Sequence, residues 1–123
     1  MTRKVLIVDD EPNIVLSLEF LMKRAGFEVA VARNGAQALE ALEGEAPDLL
    51  LLDVMMPEFD GYEVCERIRA DPAWASTKIV MLTARGRDSE RDRGLALGAD
   101  AYVTKPFSTR ELVAQIEAML AAK

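Results

Sequence analysis

Short apolar runs alternate with longer stretches of helical periodicity, and this alternation restricts the fold more than any other feature of the chain. Each run has three or four residues, most of them Val, Ile, Leu or Ala. That length and composition are typical of strands buried on both faces of a sheet. The predicted strands are Val5–Val8, Val29–Ala32, Leu49–Leu52, Ile79–Leu82 and Ala101–Val103.

The stretches between the runs place apolar residues along one face of a helix. The three clearest stripes are Ile14, Leu18, Leu21, Met22 and Ala25; then Val64, Cys65 and Ile68; then Leu112, Ile116, Met119 and Leu120. Gly26, Gly44 and Gly98 stand where helices are expected to end, and Ser108 with Glu111 is typical of a capping box. Five strands alternating with five helices predict an α/β domain with a parallel sheet inside a three-layer, doubly wound arrangement.

The residue inventory excludes several kinds of chemistry. The 123 residues include no histidine, which removes Ser-His-Asp triads and imidazole metal ligands. A net charge of −6 argues against direct nucleic-acid binding, which requires clustered Lys and Arg. The single cysteine, Cys65, rules out an internal disulfide. No apolar run is long enough to span a membrane and the N-terminus is not typical of a signal peptide, so we expect a cytoplasmic protein.

Polar residues follow the predicted strands at the positions where a doubly wound sheet binds ligands, outside the carboxyl ends of the strands. They are Asp9, Asp10 and Glu11 after the first strand, Asp53 after the third, Thr83 after the fourth and Lys105 after the fifth. Several carboxylates at one edge favour a hard divalent cation such as Mg²⁺. Beside that cation a carboxylate can attack a phosphorus centre, and a hydroxyl and an ammonium can bind the phosphoryl oxygens.

These residues belong to motifs that resemble the receiver domain of bacterial two-component response regulators. In chain order the motifs are Asp9-Asp10-Glu11-Pro12; Asp53 within Leu-Leu-Leu-Leu-Asp-Val-Met-Met-Pro; Asp60-Gly61; Thr83-Ala84; and Gly-Ala-Asp-Ala-Tyr-Val-Thr-Lys-Pro-Phe from Gly98 to Phe107. Motifs in this order at strand ends form a specific signal. The resemblance implies one receiver domain over residues 1–123 and a flavodoxin-like sheet with strand order 2-1-3-4-5.

The resemblance also implies a role for each matched residue. Asp53 is the expected phosphoryl acceptor, and Thr83 and Lys105 are expected to contact the phosphoryl group. The expected contributors to the Mg²⁺ site are Asp10, Asp53, the backbone carbonyl of Met55 and, through water, Asp9. The bond between Lys105 and Pro106 is expected to be cis, as in relatives.

The function implied by the resemblance is a signalling switch. A histidine kinase or phosphotransfer protein would donate the phosphoryl group, and Thr83 and Tyr102 would then move together. Their movement would change the surface formed by the fourth helix, the fifth strand and the fifth helix, which a downstream output domain or protein would recognise. Such a domain is not a multiple-turnover enzyme, and it could act alone or as the receiver part of a longer protein.

Three alternatives compete with this interpretation. A phosphatase of the haloacid dehalogenase type also has an Asp after an apolar strand, but it needs a second acid two residues later, where this chain has Met55. A receiver-like domain that never accepts phosphate is disfavoured by the full set of acids together with Lys105. A flavin or dinucleotide site would require a glycine-rich phosphate loop, which the sequence lacks.

The start of the last helix and the residues before the fifth strand allow an expectation about dimerisation. Arg110–Leu112 resembles the start of the last helix in receivers fused to winged-helix DNA-binding domains, which dimerise when phosphorylated. Those receivers typically have two adjacent acids before the aromatic residue of the fifth strand, whereas this chain has Asp100 followed by Ala101. We therefore expect a monomer without phosphorylation and at most weak dimerisation with it.

The fourth helix is the element that we expect to move. The segment Arg85–Arg93 is densely charged, and Gly94 follows it inside the predicted helix. Few apolar residues precede Leu95, so this helix has little to bury against the sheet. Both features lower its local stability.

Overall fold

One parallel sheet with helices on both faces organises the described part of the chain. The computed structural model describes residues 3–54, 61–84, 88–105 and 108–121, without the side chains of residues 83, 84, 88–91 and 105. The strands are β1 Lys4–Val8, β2 Glu28–Ala32, β3 Leu49–Asp53, β4 Lys78–Ala84 and β5 Ala101–Lys105. The helices are α1 Pro12–Arg24, α2 Gly35–Gly44, α3 Gly61–Ala70, α4 Asp88–Ala96 and α5 Thr109–Ala121, with a short 3₁₀ turn at Pro72–Trp74.

The sheet order is β2-β1-β3-β4-β5, and every neighbouring pair is parallel. This confirms the predicted doubly wound α/β fold and its strand order. Each predicted strand lies within an observed one, but β3, β4 and β5 continue farther than predicted. Asp53 and Lys105 are therefore the last residues of β3 and β5, and Thr83 is the last residue but one of β4, so that all three belong to the strands rather than follow them. The reason is that backbone pairing, such as Asp53 opposite Leu82, continues past the last apolar residue.

The four leucines of β3 show why both faces of the sheet are covered. Successive strand residues point to opposite faces, and all four leucines are fully buried. Leu50 and Leu52 pack in a core with residues of α2 and α3, whereas Leu49 and Leu51 pack with α1 and α5. A central parallel strand therefore has to be apolar on both sides, as its sequence is.

The helix ends agree with the sequence signals. Gly26 follows α1 with a φ of 98°, and the N–H of Phe27 donates to the carbonyl of Met22 at 3.0 Å, which closes the helix. The N–H of Glu111 donates to Ser108 Oγ at 3.3 Å at the start of α5. Among the helices of the described ranges, the structure contains none that is long and apolar enough to cross a membrane.

Candidate functional site

Two acidic segments meet because β1 and β3 are neighbours in register. Val8 pairs with Leu52, so the next residues, Asp9 and Asp53, lie side by side at the carboxyl ends of the strands. The sheet places β2 on one side of β1 and β3 on the other, so the strand order reverses at this point. Doubly wound sheets bind their ligands at such a reversal.

Three carboxylates form a cluster at this edge. The ligand oxygens of Asp9, Asp10 and Asp53 all lie within 4.8 Å of one another. Asp9 is fully buried, Asp53 is 5% exposed and Asp10 is exposed. Negative charges so close together repel, and burial strengthens that repulsion because water no longer screens them. An all-oxygen donor set with one exposed member therefore fits a hard divalent cation that keeps some of its water.

Backbone hydrogen bonds hold Asp9 in place. Its Oδ1 accepts the backbone N–H of Glu11 at 2.9 Å, and its own N–H donates to the carbonyl of Ala32 at 3.2 Å. The first helix begins directly afterwards, at Pro12. Proline suits the first helical position, and the positive end of the helix dipole favours acids nearby. The chain therefore fixes Asp9 and places a helix N-terminus beside the cluster.

Gly61 positions the end of β3. A Cβ atom at Gly61 would lie 2.6 Å from the carbonyl oxygen of Asp53 and 2.8 Å from the Cα of Val54, so only glycine fits. The Gly61 N–H also donates to the carbonyl of Val54 at 2.9 Å. The first residue of α3 thus packs directly on the backbone of Asp53. Sequence reasoning included Asp60-Gly61 among the motifs but gave Gly61 no structural role; its only signal was the glycine itself.

The backbones of Thr83 and Lys105 lie at the same edge as Asp53. The strand β4 pairs with β3 up to Asp53 opposite Leu82, and with β5 up to Ala84 opposite Lys105. The sheet therefore brings the predicted hydroxyl and ammonium positions to the carboxyl edge. The side chains of Thr83 and Lys105 lie outside the described part of the structure, as do Met55 and Pro106.

Tyr102 and Cys65 lie near the fourth helix rather than in the cluster. Tyr102 is half-buried in β5, opposite Met81 of β4, and packs against the core on the α2–α3 face.

Cys65 of α3 is fully buried, and burial raises the pKa of its thiol to about 11. The thiol therefore stays protonated at neutral pH, where its Sγ donates to the carbonyl of Leu97 at 3.7 Å. This fits a packing role and not that of a nucleophile.

The sheet order, the acidic cluster and the strand-end residues agree with a match to a known family. A family model described as "Response regulator receiver domain" matches residues 5–117. The chain belongs to this family. The receiver domain is 46% identical over 120 residues to the alkaline phosphatase synthesis transcriptional regulatory protein PhoP of Bacillus subtilis (strain 168). It is 48% identical over 120 residues to the phosphate regulon transcriptional regulatory protein PhoB of Rhizobium meliloti (strain 1021).

The receiver domain spans about half the length of these curated relatives. The two alignments cover 98% of this chain but 49% and 53% of the relatives. Among solved structures, a response regulator receiver domain protein (CheY-like) from Methanospirillum hungatei JF-1 superposes with a TM-score of 0.92 at 30% identity. That alignment covers 99% of this chain and 96% of the other. Membership of the family confirms the resemblance and gives no support to the haloacid dehalogenase alternative.

Proposed function

We propose that this receiver domain is a phosphorylation-activated switch that accepts a phosphoryl group on Asp53. The observation that carries the proposal is the cluster of Asp9, Asp10 and Asp53, whose ligand oxygens lie within 4.8 Å of one another at the carboxyl edge of the sheet. A carboxylate nucleophile and an oxygen-lined cation site are thereby in one place, which is what phosphoryl transfer to a carboxylate requires.

Asp53 is the best placed of the three acids to act as the nucleophile. One oxygen of Asp9 already accepts a backbone N–H from Glu11, and Asp9 is fully buried. Asp10 is exposed, so it is the acid most open to water. Asp53 ends the central strand β3 and retains 5% exposure, and Gly61 packs against its backbone. A fixed, desolvated carboxylate that a donor can still reach suits in-line attack.

In the proposed step an oxygen of Asp53 forms a bond to phosphorus while the bond from phosphorus to the donor nitrogen breaks, and the leaving imidazole keeps the electron pair of that bond. Bound Mg²⁺ would supply the positive charge that offsets the acids and the phosphoryl oxygens. Asp10, Asp53 and the backbone carbonyl of Met55 would hold it, with Asp9 acting through water. Thr83 and Lys105 would each bind one phosphoryl oxygen.

The metal assignment predicts unequal effects of two substitutions. Asp10→Ala is expected to weaken Mg²⁺ binding at least about tenfold, and more than Asp9→Ala does, because Asp10 contacts the ion and Asp9 acts through water. Titration with Mg²⁺ followed by the NMR chemical shifts of the amides beside the cluster measures both affinities. Asp71→Ala is the matched control, since the Asp71 carboxylate caps the 3₁₀ turn by accepting the N–H of Ala73. Equal affinities for the wild type and the two cluster variants would contradict the assignment.

The switch assignment predicts coupled movement of Thr83 and Tyr102. When Thr83 binds the phosphoryl group, it is expected to free space that the half-buried Tyr102 ring then occupies. The surface of α4, β5 and α5 changes as a result. A crystal structure with Mg²⁺ and beryllofluoride should show both side chains displaced from their positions in the unmodified protein. Unchanged positions of both side chains in that structure would refute the coupling.

The partners in this proposal follow from the chemistry. The phosphoryl donor is a sensor histidine kinase or a phosphotransfer protein. The partner that recognises the changed surface is a downstream output domain or protein. The net charge of −6 opposes direct nucleic-acid binding by this chain. The domain catalyses its own phosphorylation and slow dephosphorylation only, so it is not a multiple-turnover enzyme.

Assembly is expected to be weak, because Asp100 is already paired within the chain. Its Oδ2 lies 2.7 Å from Arg69 Nη2, and Ala101 follows it where an acid is typical of dimerising relatives. The net charge of −6 also opposes association. Sedimentation at micromolar concentration should show a monomer, and at most a weak dimer after addition of beryllofluoride. A tight dimer of the unmodified protein would be inconsistent with this.

Intact mass spectrometry tests the proposed function. After incubation with a small acyl phosphate donor and Mg²⁺, the wild-type chain should gain about 80 Da, the mass of one phosphoryl group. Removing Mg²⁺ with a chelator should suppress the gain. A chain whose mass stays unchanged with donor and Mg²⁺ present would defeat the proposal.

A further inference from the structure

We propose that the C-terminal end of α4 is a fixed hinge, and that the preceding part of the helix turns about it when the phosphorylation state of Asp53 changes. The motion rests on the proposed function. The contacts that fix the hinge belong to the unmodified chain and involve α3, β4 and the segment between α4 and β5.

The first contact is a close approach of the helix backbone to β4. Gly94 is buried, and a Cβ atom there would lie 2.5 Å from Met81 Sδ and 3.8 Å from Cε1 of Tyr62. Met81 is fully buried and stands two residues before Thr83 in β4. The neighbouring Arg93 places its guanidinium carbon 4.2 Å from the centroid of the Tyr62 ring. The helix thus rests on β4 and α3 at Arg93 and Gly94.

The second contact is the cap that ends the helix. The N–H of Gly98 donates to the carbonyl of Leu95, and the N–H of Ala99 donates to the carbonyl of Gly94, both at 3.1 Å. This is a Schellman arrangement, and it needs the left-handed backbone of Gly98, whose φ is 111°. A Cβ atom at Gly98 would lie 2.7 Å from Cγ of Arg69, so the cap packs directly on α3.

The third contact is the side chain of Arg69, which connects three segments. Its Nε donates to the carbonyl of Gly98 at 2.8 Å, its Nη1 to the carbonyl of Thr77 at 2.9 Å and its Nη2 to Asp100 Oδ2 at 2.7 Å. Asp100 Oδ2 also accepts the N–H of Ile79 at 2.8 Å, and the Asp100 N–H donates to the carbonyl of Ile79. We call this set of bonds the Arg69 brace. It ties the end of α4 to α3 and to the start of β4.

The other end of α4 is built differently. The first six residues of the helix, Asp88–Arg93, have polar side chains, and the first large apolar residue is Leu95, which is 44% exposed. The helices α1 and α5 each bury three apolar side chains. Because packing of an apolar face supplies most of the stability of a helix in a protein, the polar part of α4 can change position at lower cost than its braced end.

Amide exchange measured by NMR on the unmodified, ¹⁵N-labelled chain tests the brace. Arg69→Gln removes the charged donor and is expected to speed exchange of the Gly98, Ala99 and Asp100 amides about tenfold or more. Arg67→Gln is the matched control on the same helix, because the Arg67 side chain is exposed and its Nη2 lies 3.4 Å from Glu63 Oε2. If Arg69→Gln does not fold, Asp100→Asn keeps an acceptor for Ile79 but weakens the brace. Unchanged exchange in a folded brace variant overturns the proposal.

The same sample, with Mg²⁺ and beryllofluoride, tests the hinge. Amide shift changes in α4 of the wild type should be confined to residues 88–92, and in the brace variant they should extend through residues 95–100. Equal changes over both segments of the wild type would mean that the whole helix moves, which overturns the hinge. Intact mass after incubation with the acyl phosphate donor distinguishes failure of the proposed function from failure of the hinge. A chain that gains no mass of about 80 Da counts against phosphorylation of Asp53. The amide exchange result for the Arg69 brace does not depend on phosphorylation.

Discussion

Asp53→Asn is expected to abolish phosphoryl incorporation completely. An amide is not a nucleophile towards phosphorus, and the other two acids of the cluster are differently placed, since Asp9 is buried and bonded to the Glu11 N–H and Asp10 is exposed. The substitution preserves the size and shape of the side chain, so the sheet edge should keep its structure. Intact mass spectrometry with an acyl phosphate donor and Mg²⁺ measures the effect.

Asp71→Asn provides the matched control for this experiment. Asp71 precedes the 3₁₀ turn, outside the acidic cluster, and its variant should gain about 80 Da to the same extent as the wild type. Circular dichroism of both variants checks that they are folded. Full phosphorylation of folded Asp53→Asn would show that another residue is the acceptor.

Gly61→Ala should damage stability and the site together. The added Cβ would lie 2.6 Å from the Asp53 carbonyl oxygen and 2.8 Å from the Val54 Cα, and both of these are backbone atoms that cannot rotate away. Inserting atoms into a packed region typically costs about 1–3 kcal/mol of unfolding free energy. Displacement of the end of β3 should also slow phosphoryl transfer to Asp53, because in-line attack depends on position.

Gly44→Ala is the matched control for Gly61→Ala. Gly44 is the last residue of α2, and a Cβ atom there would meet nothing within 4 Å. Alanine is the better helix former by up to about 1 kcal/mol, so this variant should be as stable as the wild type or more stable. Urea denaturation gives the unfolding free energies, and the time course of the mass gain gives the rates. Indistinguishable stability and rates for the two variants would contradict the role assigned to Gly61.

The fold could be predicted from the sequence because its strongest signal is local. The four consecutive leucines directly before Asp53 have to be buried on both faces of the sheet. The apolar stripes of the helices before and after them in the chain supply the layers that cover these faces. The acidic cluster was predictable for the same reason, since the carboxyl ends of neighbouring parallel strands always meet at one edge. The ends of β3, β4 and β5 were predicted too early. Apolar residues show where a strand is buried, whereas backbone pairing continues past the last apolar residue, as at Asp53.

The contacts between distant residues could not be predicted. Arg69 and Asp100 are 31 positions apart, and a half-exposed polar residue carries no local sign of its partner. The sequence singled out Asp100 only as the first of two positions that are typically acidic in dimerising receivers, and gave no sign of its bonds to Arg69 and to the Ile79 N–H. The contact of Gly61 with the Asp53 backbone was equally hidden, because it depends on how α3 meets β3.

The central claim, that Asp53 carries the phosphoryl group, is tested most directly by chemical trapping. Borohydride reduces an acyl phosphate to an alcohol and so converts a phosphorylated aspartate to homoserine, whereas unmodified carboxylates do not react. Phosphorylated protein is treated in this way, digested and sequenced by tandem mass spectrometry. We predict homoserine at position 53, with Asp9 and Asp10 intact. Homoserine at position 9 or 10, or none anywhere in a chain that has gained about 80 Da, would contradict the claim.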